Sequence, residues 1–497
     1  MDLDYGAIAP ELALTATAVV VLLADLVLRG DRKRLVNPLA FIGTIVAIAV
    51  TVPMLGDEGP RVTFGGMFAV TNYAVVFKLL FLGTLLAILA ISYRYFSDGR
   101  YFQGEYYFLL LTAFLGMIIM PSARDLLLIF VALETVSIPG FVMAGLRKRD
   151  LYSSEAALKF FLIGVLSVAV MLFGLSFVYG ATGTTSLEGV AAALAADRAP
   201  QPLLRGSLLL VIFGFGFKVS AVPFHFWAPD TYAGSPLPVT AMLAVASKAA
   251  GFAGLVSICF VAFEPYAEVW APTLGVLAVL TMTLGNLVAL QQRDIVRLLA
   301  YSSVAQAGYM LLPFGVAETG NTAVNELAVQ AVLFYLLAYA VMNVGAFAVV
   351  IAVHRKTGRR AVSDYAGLGY RSSGLAIAMS IFMLSLGGII PLVGFWAKVS
   401  VFLAAVNGAG YVLAVFLVLN TVLSLFYYLA VVRTMWFEQP APTTPRPRPG
   451  LLVTAAVGGL ALASLVFGLY PVYQQLPVDG VVPVEGAGAP DGDAAGE

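Results

Sequence analysis

Apolar residues run in blocks of about 20, cut by short clusters of Arg, Lys, Asp, Pro and Gly. A block of that length crosses the ~30 Å hydrocarbon core of a bilayer as a helix, so each reads as one span. The pattern predicts about fourteen spans, near 6–28, 36–55, 70–93, 104–120, 125–146, 155–180, 204–226, 236–263, 270–291, 294–315, 326–354, 373–405, 408–434 and 450–473. The seventh and twelfth contain Pro223 and Pro391 and read as broken helices. Breaks at membrane depth are tolerated only inside protein or beside water. The expected fold is an all-α polytopic membrane protein.

Composition agrees. Of 497 residues, 60% are hydrophobic and 11% charged, where a soluble domain carries about 25% charged residues. The single cysteine, Cys259, excludes an internal disulfide, a Cys-ligated zinc and an iron–sulfur cluster. Two histidines are too few for a haem-rich protein, and a net charge of zero gives no electrostatic case for nucleic acid. Asp2, Asp4 and Glu11 stand where a cleavable signal would be basic, so none is expected.

Basic residues set the expected orientation. Loops after odd-numbered spans hold 19 Lys and Arg, and loops after even-numbered spans hold 4. That asymmetry predicts odd loops in the cytoplasm and both termini outside. The weakly acidic tail after Pro477 reads as a disordered external extension.

A repeat is also visible. RDLLLIFVALETVS at 124–137 aligns with RDIVRLLAYSSVAQ at 293–306, an offset of 169, and Trp227 to Trp396 is again 169. LKFFLIG at 158–164 resembles VLFYLLA at 332–338, at an offset of 174. Five spans separate the copies, an odd number, so the second copy is expected to be inverted. Inverted repeats with one broken helix each mark transporters whose ion sites lie at the midplane.

The remaining five basic residues, Lys78, Lys159, Lys218, Lys248 and Lys398, all lie inside apolar spans. Lys159 stands near the start of its span, where a lysine can snorkel to the interface. Lys218, Lys248 and Lys398 lie deep, beside breaks or small residues, and read as functional. Lys78 falls outside the repeat and reads as structural. Among the acids, Asp25 and Glu105 lie towards span ends, whereas Glu134 is central and needs a cationic partner. The nearest lysine by connectivity is Lys159, which also allows a static pair.

Burial disfavours an ammonium and a nearby carboxylate favours it, so moving that negative influence makes a buried lysine take or release a proton. Moving one proton against ~150 mV requires about 3.5 kcal/mol, within what such environments supply. Tyr301, Ser302, Ser303, Gln306, Tyr335, Asn343 and Ser424 are candidate links between lysines. His225 follows the first break and either connects Lys218 to Lys248 or caps the broken backbone.

FKVSAVPFHFWAPDTYAGSPLPVTAMLAVASKAAG at 217–251 resembles the central signature of the antiporter-like subunits of respiratory complex I and of multisubunit cation/proton antiporters. VALETVSIP around Glu134, ALKFFLIG around Lys159, RLLAYSSVAQAGYM at 297–310 and GFWAKVSVF around Lys398 extend the resemblance over nearly the whole chain. The absence of extra C-terminal spans sets it apart from the L type. Lys398, where the M type has a glutamate, leaves it most similar to the N type of NADH–quinone oxidoreductase.

The resemblance implies a three-helix segment over 1–103, five-helix repeats over 104–265 and 266–437, a last helix over 438–477 and a tail over 478–497. It implies Glu134 and Lys159 as the entry-side pair, Lys218 as the central switch, Lys248 as the connecting lysine and Lys398 at the exit. Asp230 and His225 belong to the broken-helix loop. Span 11 departs from the antiporter relatives in lacking a clear ionisable residue.

The implied function is proton translocation in a bacterial plasma membrane, driven by reduction of ubiquinone or menaquinone. No cofactor is expected in this chain; flavin and iron–sulfur clusters would belong to partner subunits. The implied partners are an M-type subunit, small helical K, J and A types, and lipid. Two other readings are a subunit of a sodium/proton antiporter and a structural membrane subunit without transport. Sodium sites favour carboxylates and carbonyls, and only Glu134 is central, which favours protons. GATGTTS at 180–186 follows a span and opens no βαβ unit, so it does not read as a nucleotide site.

Overall fold

The computed structural model describes residues 4–57, 59–97, 103–147, 149–196, 201–440, 445–470 and 475–482. Its helices follow the apolar blocks closely. Four helices come first: α1 (Ala9–Val27), α2 (Val36–Thr51), α3 (Asn72–Ser97) and α4 (Gln103–Ile119). Between α2 and α3 lies a small antiparallel hairpin, β1 (Arg61–Thr63) with β2 (Phe68–Val70), Arg61 opposite Val70. Then come α5 (Leu126–Ala144), α6 (Leu151–Thr182), a short amphipathic α7 (Leu187–Ala195), α8 (Gln201–Val219) and α9 (Trp227–Gly234). Helices α10 (Leu237–Met242) and α11 (Lys248–Val256), with π-helical turns after each, make one span, Leu237–Ala262.

The second half holds α12 (Ala267–Ala289), α13 (Ile295–Leu311), α14 (Thr322–Thr357), the short α15 (Leu368–Arg371), α16 (Ser373–Gly387), α17 (Val393–Asn407), α18 (Tyr411–Phe437) and α19 (Leu451–Leu469). Among the described residues, thirteen helices are long and apolar enough to cross a membrane, and the shorter α16 and α17 flank the second break. The hairpin and α7 were not foreseen.

Burial separates inner helices from outer ones. The α10–α11 span is 94% buried, against 28% for α1 and for α19. Helices α13 and α14 are the other inner elements. Outer helices show one face of Leu, Ile, Val and Phe, as on α6, where Leu158, Leu162 and Leu166 are exposed; that face suits acyl chains.

The same local constructions occur twice. Asp125 and Asp294 each cap a helix, α5 and α13, accepting from the amides two and three residues on. Each also starts a short bridge, Asp125 to Ser186 and Asp294 to Ala361. The long helices α6 and α14 both end on a left-handed glycine, Gly183 and Gly358, whose amide donates to the carbonyl four residues back at 2.7 Å.

The breaks correspond too. After α8, Ala221 N donates to Gly216 O and Ser220 N to Phe217 O; after α16, Ile389 N donates to Leu384 O and Gly388 N to Ser385 O. Both are the 6→1 and 5→2 bonds of a Schellman cap. Trp227 and Trp396 follow, donating to Phe217 O and Gly468 O.

Loops sort by parity. A cavity of about 290 Å³ is lined by Arg147, Asp150, Asp230, Asp294, Arg297 and Arg360, all beside odd-numbered loops. Another, of about 490 Å³, takes its lining from the hairpin, Arg124–Asp125 and Thr184–Glu188, all even-numbered. The described terminal segments join the even side, since Asp4 pairs with Arg61 at 2.7 Å and Asp479 accepts from Asn72 N and Tyr73 N. This corrects the expectation of a tail disordered from residue 478. Val478, Val481 and Val482 are buried, and Asp479 caps α3. The remainder of that expectation, 483–497, lies outside the described residues.

Candidate functional site

Lys218 sits in the last turn of α8, 3% exposed, and its Nζ donates to Ser137 Oγ at 2.6 Å. Ser137 lies on α5 three residues after Glu134, so helical spacing puts both on one face, and Ser137 Oγ stands 3.3 Å from Glu134 Oε1. The same hydroxyl reaches Leu133 O at 2.7 Å. With one proton, it donates to the carboxylate or to the backbone while accepting from Lys218. Glu134, Ser137 and Lys218 therefore form one connected unit. Sequence reasoning missed Ser137, although its i+3 spacing was visible.

The expected pairing of Glu134 with Lys159 is corrected. Lys159 Nζ lies 2.7 Å from Asp230 and 2.7 Å from Glu155, with its side chain 42% exposed. Asp230 also receives Arg297 at 3.2 Å. The reason is geometric. Side chains on a helix lean towards its N-terminus, and the α6 N-terminus lies at the odd-loop face. The ammonium therefore reaches back one turn to Glu155 and the charged cavity, away from the membrane centre.

Lys248, 1% exposed, opens α11 and donates to Ser303 O at 2.6 Å and Ser303 Oγ at 2.7 Å. Lys398, 5% exposed, donates to Gly387 O at 3.0 Å and Ser424 Oγ at 3.4 Å, and lies 4.9 Å from the Tyr309 ring centroid. Neither forms a salt bridge among the described residues. Neutral oxygens and, at Lys398, a ring face hold these ammoniums.

A hydroxyl–amide cluster lies in the second half. Tyr335 donates to Gln306 Oε1 at 2.6 Å, Gln306 Nε2 to the Tyr428 hydroxyl at 3.1 Å, and Ser302 and Tyr428 share a bond of 2.5 Å. Asn343 donates to Tyr339 at 2.7 Å. Tyr428 was not foreseen; α18 packs against α12 and α16, and the Tyr428 hydroxyl reaches Ser302 and Gln306 on α13, a contact no local spacing reveals. Tyr301 is half-buried and lies outside the cluster.

His225 is buried beside Phe226, and its Nδ1 has no partner among the described residues. Its carbonyl accepts from Ala228 N at 3.0 Å, at the start of α9. Lys78, fully buried, pairs with Glu11 at 2.8 Å and lies over the Phe68 ring, joining α1, α3 and the hairpin. Asp25 pairs with Lys33, while Glu105 is exposed. Among the described residues, no three His, Cys, Asp or Glu side chains stand close enough to share a metal ion.

Comparison with known proteins fits this arrangement. Residues 123–424 match the family described as NADH:quinone oxidoreductase/Mrp antiporter, transmembrane. NADH-quinone oxidoreductase subunit N 2 of Streptomyces griseus is 43% identical over 446 residues, covering 86% of this chain and 82% of that protein. Subunit N of Chlorobium chlorochromatii is 38% identical over 482 residues, covering 94% and 92%. A chain of respiratory complex I from Thermus thermophilus with bound aureothin superposes with a TM-score of 0.77 at 34% identity, covering 94% of this chain and 98% of that one. A chain of the Mrp complex from Dietzia shares the fold, with a TM-score of 0.81 at 22% identity, covering 92% and 94%. The chain belongs to the NADH:quinone oxidoreductase/Mrp antiporter transmembrane family.

Proposed function

We propose that this chain is an N-type proton-translocating membrane subunit of an NADH–quinone oxidoreductase. Quinone reduction in partner subunits would drive it. The observation that carries the proposal is the Glu134–Ser137–Lys218 unit at a helix break, followed by two further buried lysines held only by neutral groups.

The carboxylate of Glu134, felt through Ser137, stabilises the Lys218 ammonium. When that influence is withdrawn or neutralised, burial favours the amine and the proton leaves. Lys248 and Lys398 accept and release protons in turn. Lys159 stands at the odd-loop face with Asp230 and Glu155, where water reaches it, and serves the entry side. His225 caps the α9 entry through its carbonyl, which accepts from Ala228 N. Buried ammoniums repel a sodium ion, whereas a proton needs only a lone pair, so protons fit this row better.

The paired caps, paired left-handed glycines and paired breaks support a duplication of 104–265 in 266–437. The odd number of intervening spans makes the copies inverted, with 1–103 and 438–477 flanking them. The Lys and Arg bias supports cytoplasmic odd loops and external termini in a bacterial plasma membrane. Flavin and iron–sulfur groups belong to partner chains, and M-type and small helical K-, J- and A-type subunits are the membrane neighbours. Purification in mild detergent tests the assembly: flavin and iron–sulfur subunits should co-purify. Sodium-dependent pH gradients without such subunits would instead identify an antiporter.

A further inference from the structure

The odd-loop face carries a group of arginines that the proposed relay does not use. Helix α3 holds Arg94 in its last turn, and its 26 residues reach about 39 Å, past the ~30 Å hydrocarbon core. Arg94 is exposed there, at headgroup depth. Beside it the chain re-enters the membrane through PRPRPG at 445–450, directly ahead of α19. Arg371 donates to Pro445 O at 3.0 Å and holds the far end of this segment. At the near end Arg94 lies against Gly450, where a Cβ would stand 2.6 Å from its Nε. Only glycine at 450 admits the guanidinium in that place.

Arg446 and Arg448 are exposed on either side of the buried Pro447. None of the three arginines forms a salt bridge among the described residues. Like charges gathered without an acid repel one another, and an anion among them relieves that. A cavity of about 140 Å³ opens here, lined by Ala90, Tyr93, Arg94 and Gly450–Val453. The next surface along the chain is apolar. Leu451 and Leu452 are 83% and 39% exposed, and Leu462, Val466 and Leu469 continue the bare face of α19 into the bilayer.

We propose that this place binds an anionic phospholipid of the odd-loop leaflet, its phosphate on Arg94 and Arg448 and its acyl chains along α19. Charge stands over an apolar face in the same order as phosphate over acyl chain in the lipid. The inference does not rest on the proton relay.

The probe is phosphatidylglycerol with a photoreactive group high on one acyl chain, in vesicles otherwise made of phosphatidylcholine. The protein, purified with the subunits that accompany it, should be labelled within 451–456. Phosphatidylcholine carrying the same group should label that stretch several-fold less. Arg94→Gln and Arg448→Gln should each lower labelling about fivefold, as losing one basic residue at an anionic surface does, with subunit content unchanged. Gly450→Ala displaces only the flexible guanidinium and should lower labelling too. Equal labelling by the two lipids, or undiminished labelling of Arg94→Gln, would overturn the proposal. Labelling abolished by inorganic phosphate would overturn it in favour of a free-anion site. Cross-links from 451–456 to another polypeptide would overturn it in favour of a protein partner.

Discussion

Lys248 and Lys398 each hold an ammonium in the membrane with only neutral groups in reach. Removing such a charge from water costs several kcal/mol, which purely structural residues have no reason to incur. In the proposed relay titration is the reason, and it separates lysine from arginine. Lys248→Arg keeps a positive charge beside Ser303 but cannot release a proton at working pH. It should lose coupled pumping as severely as Lys248→Ala, measured as NADH-driven acidification of inverted vesicles. A pumping Arg variant would show that charge alone matters. The lysines themselves were legible in the sequence, because a basic residue inside an apolar block stands out. Their partners were less so. Connectivity suggested Glu134 with Lys159, and the lean of the α6 side chains took Lys159 to Asp230 instead.

At the scale of elements, every span was visible because the apolar blocks match bilayer thickness. Both breaks announced themselves through proline. The hairpin and α7 are too short for length to mark them: the strands hold three residues each and α7 nine. Helix contacts were equally hidden. Helices α12 and α13 approach so closely that a Cβ on Gly308 would lie 2.4 Å from Met282 N. Small residues allow such contact between membrane helices. Gly308→Val should force them apart and cost about 1–3 kcal/mol, as overpacking does. A lowered unfolding temperature of the detergent-solubilised complex is the expected result, and an unchanged one would mean the helices part without cost.

Across the whole molecule, odd loops meet around one charged cavity, and even loops gather on the side that carries both described terminal segments. The proposed orientation, which rests on the charge bias, puts the first side in the cytoplasm. The one native cysteine, Cys259, is buried, so it leaves a quiet background for labelling. Glu188→Cys should react with an impermeant thiol reagent from outside intact cells, and Arg293→Cys only after the cytoplasmic face is opened. The reverse pattern would invert the orientation.

In the proposed relay Lys218, joined to Glu134 through Ser137, is the group that takes up and releases the transported proton. The most direct measurement is proton pumping by the complex carrying Lys218→Ala, in NADH-energised vesicles whose subunit content matches the parent. Collapse of pumping and of coupled quinone reductase activity, with assembly intact, is the expected result. Unchanged pumping in a fully assembled variant would contradict it.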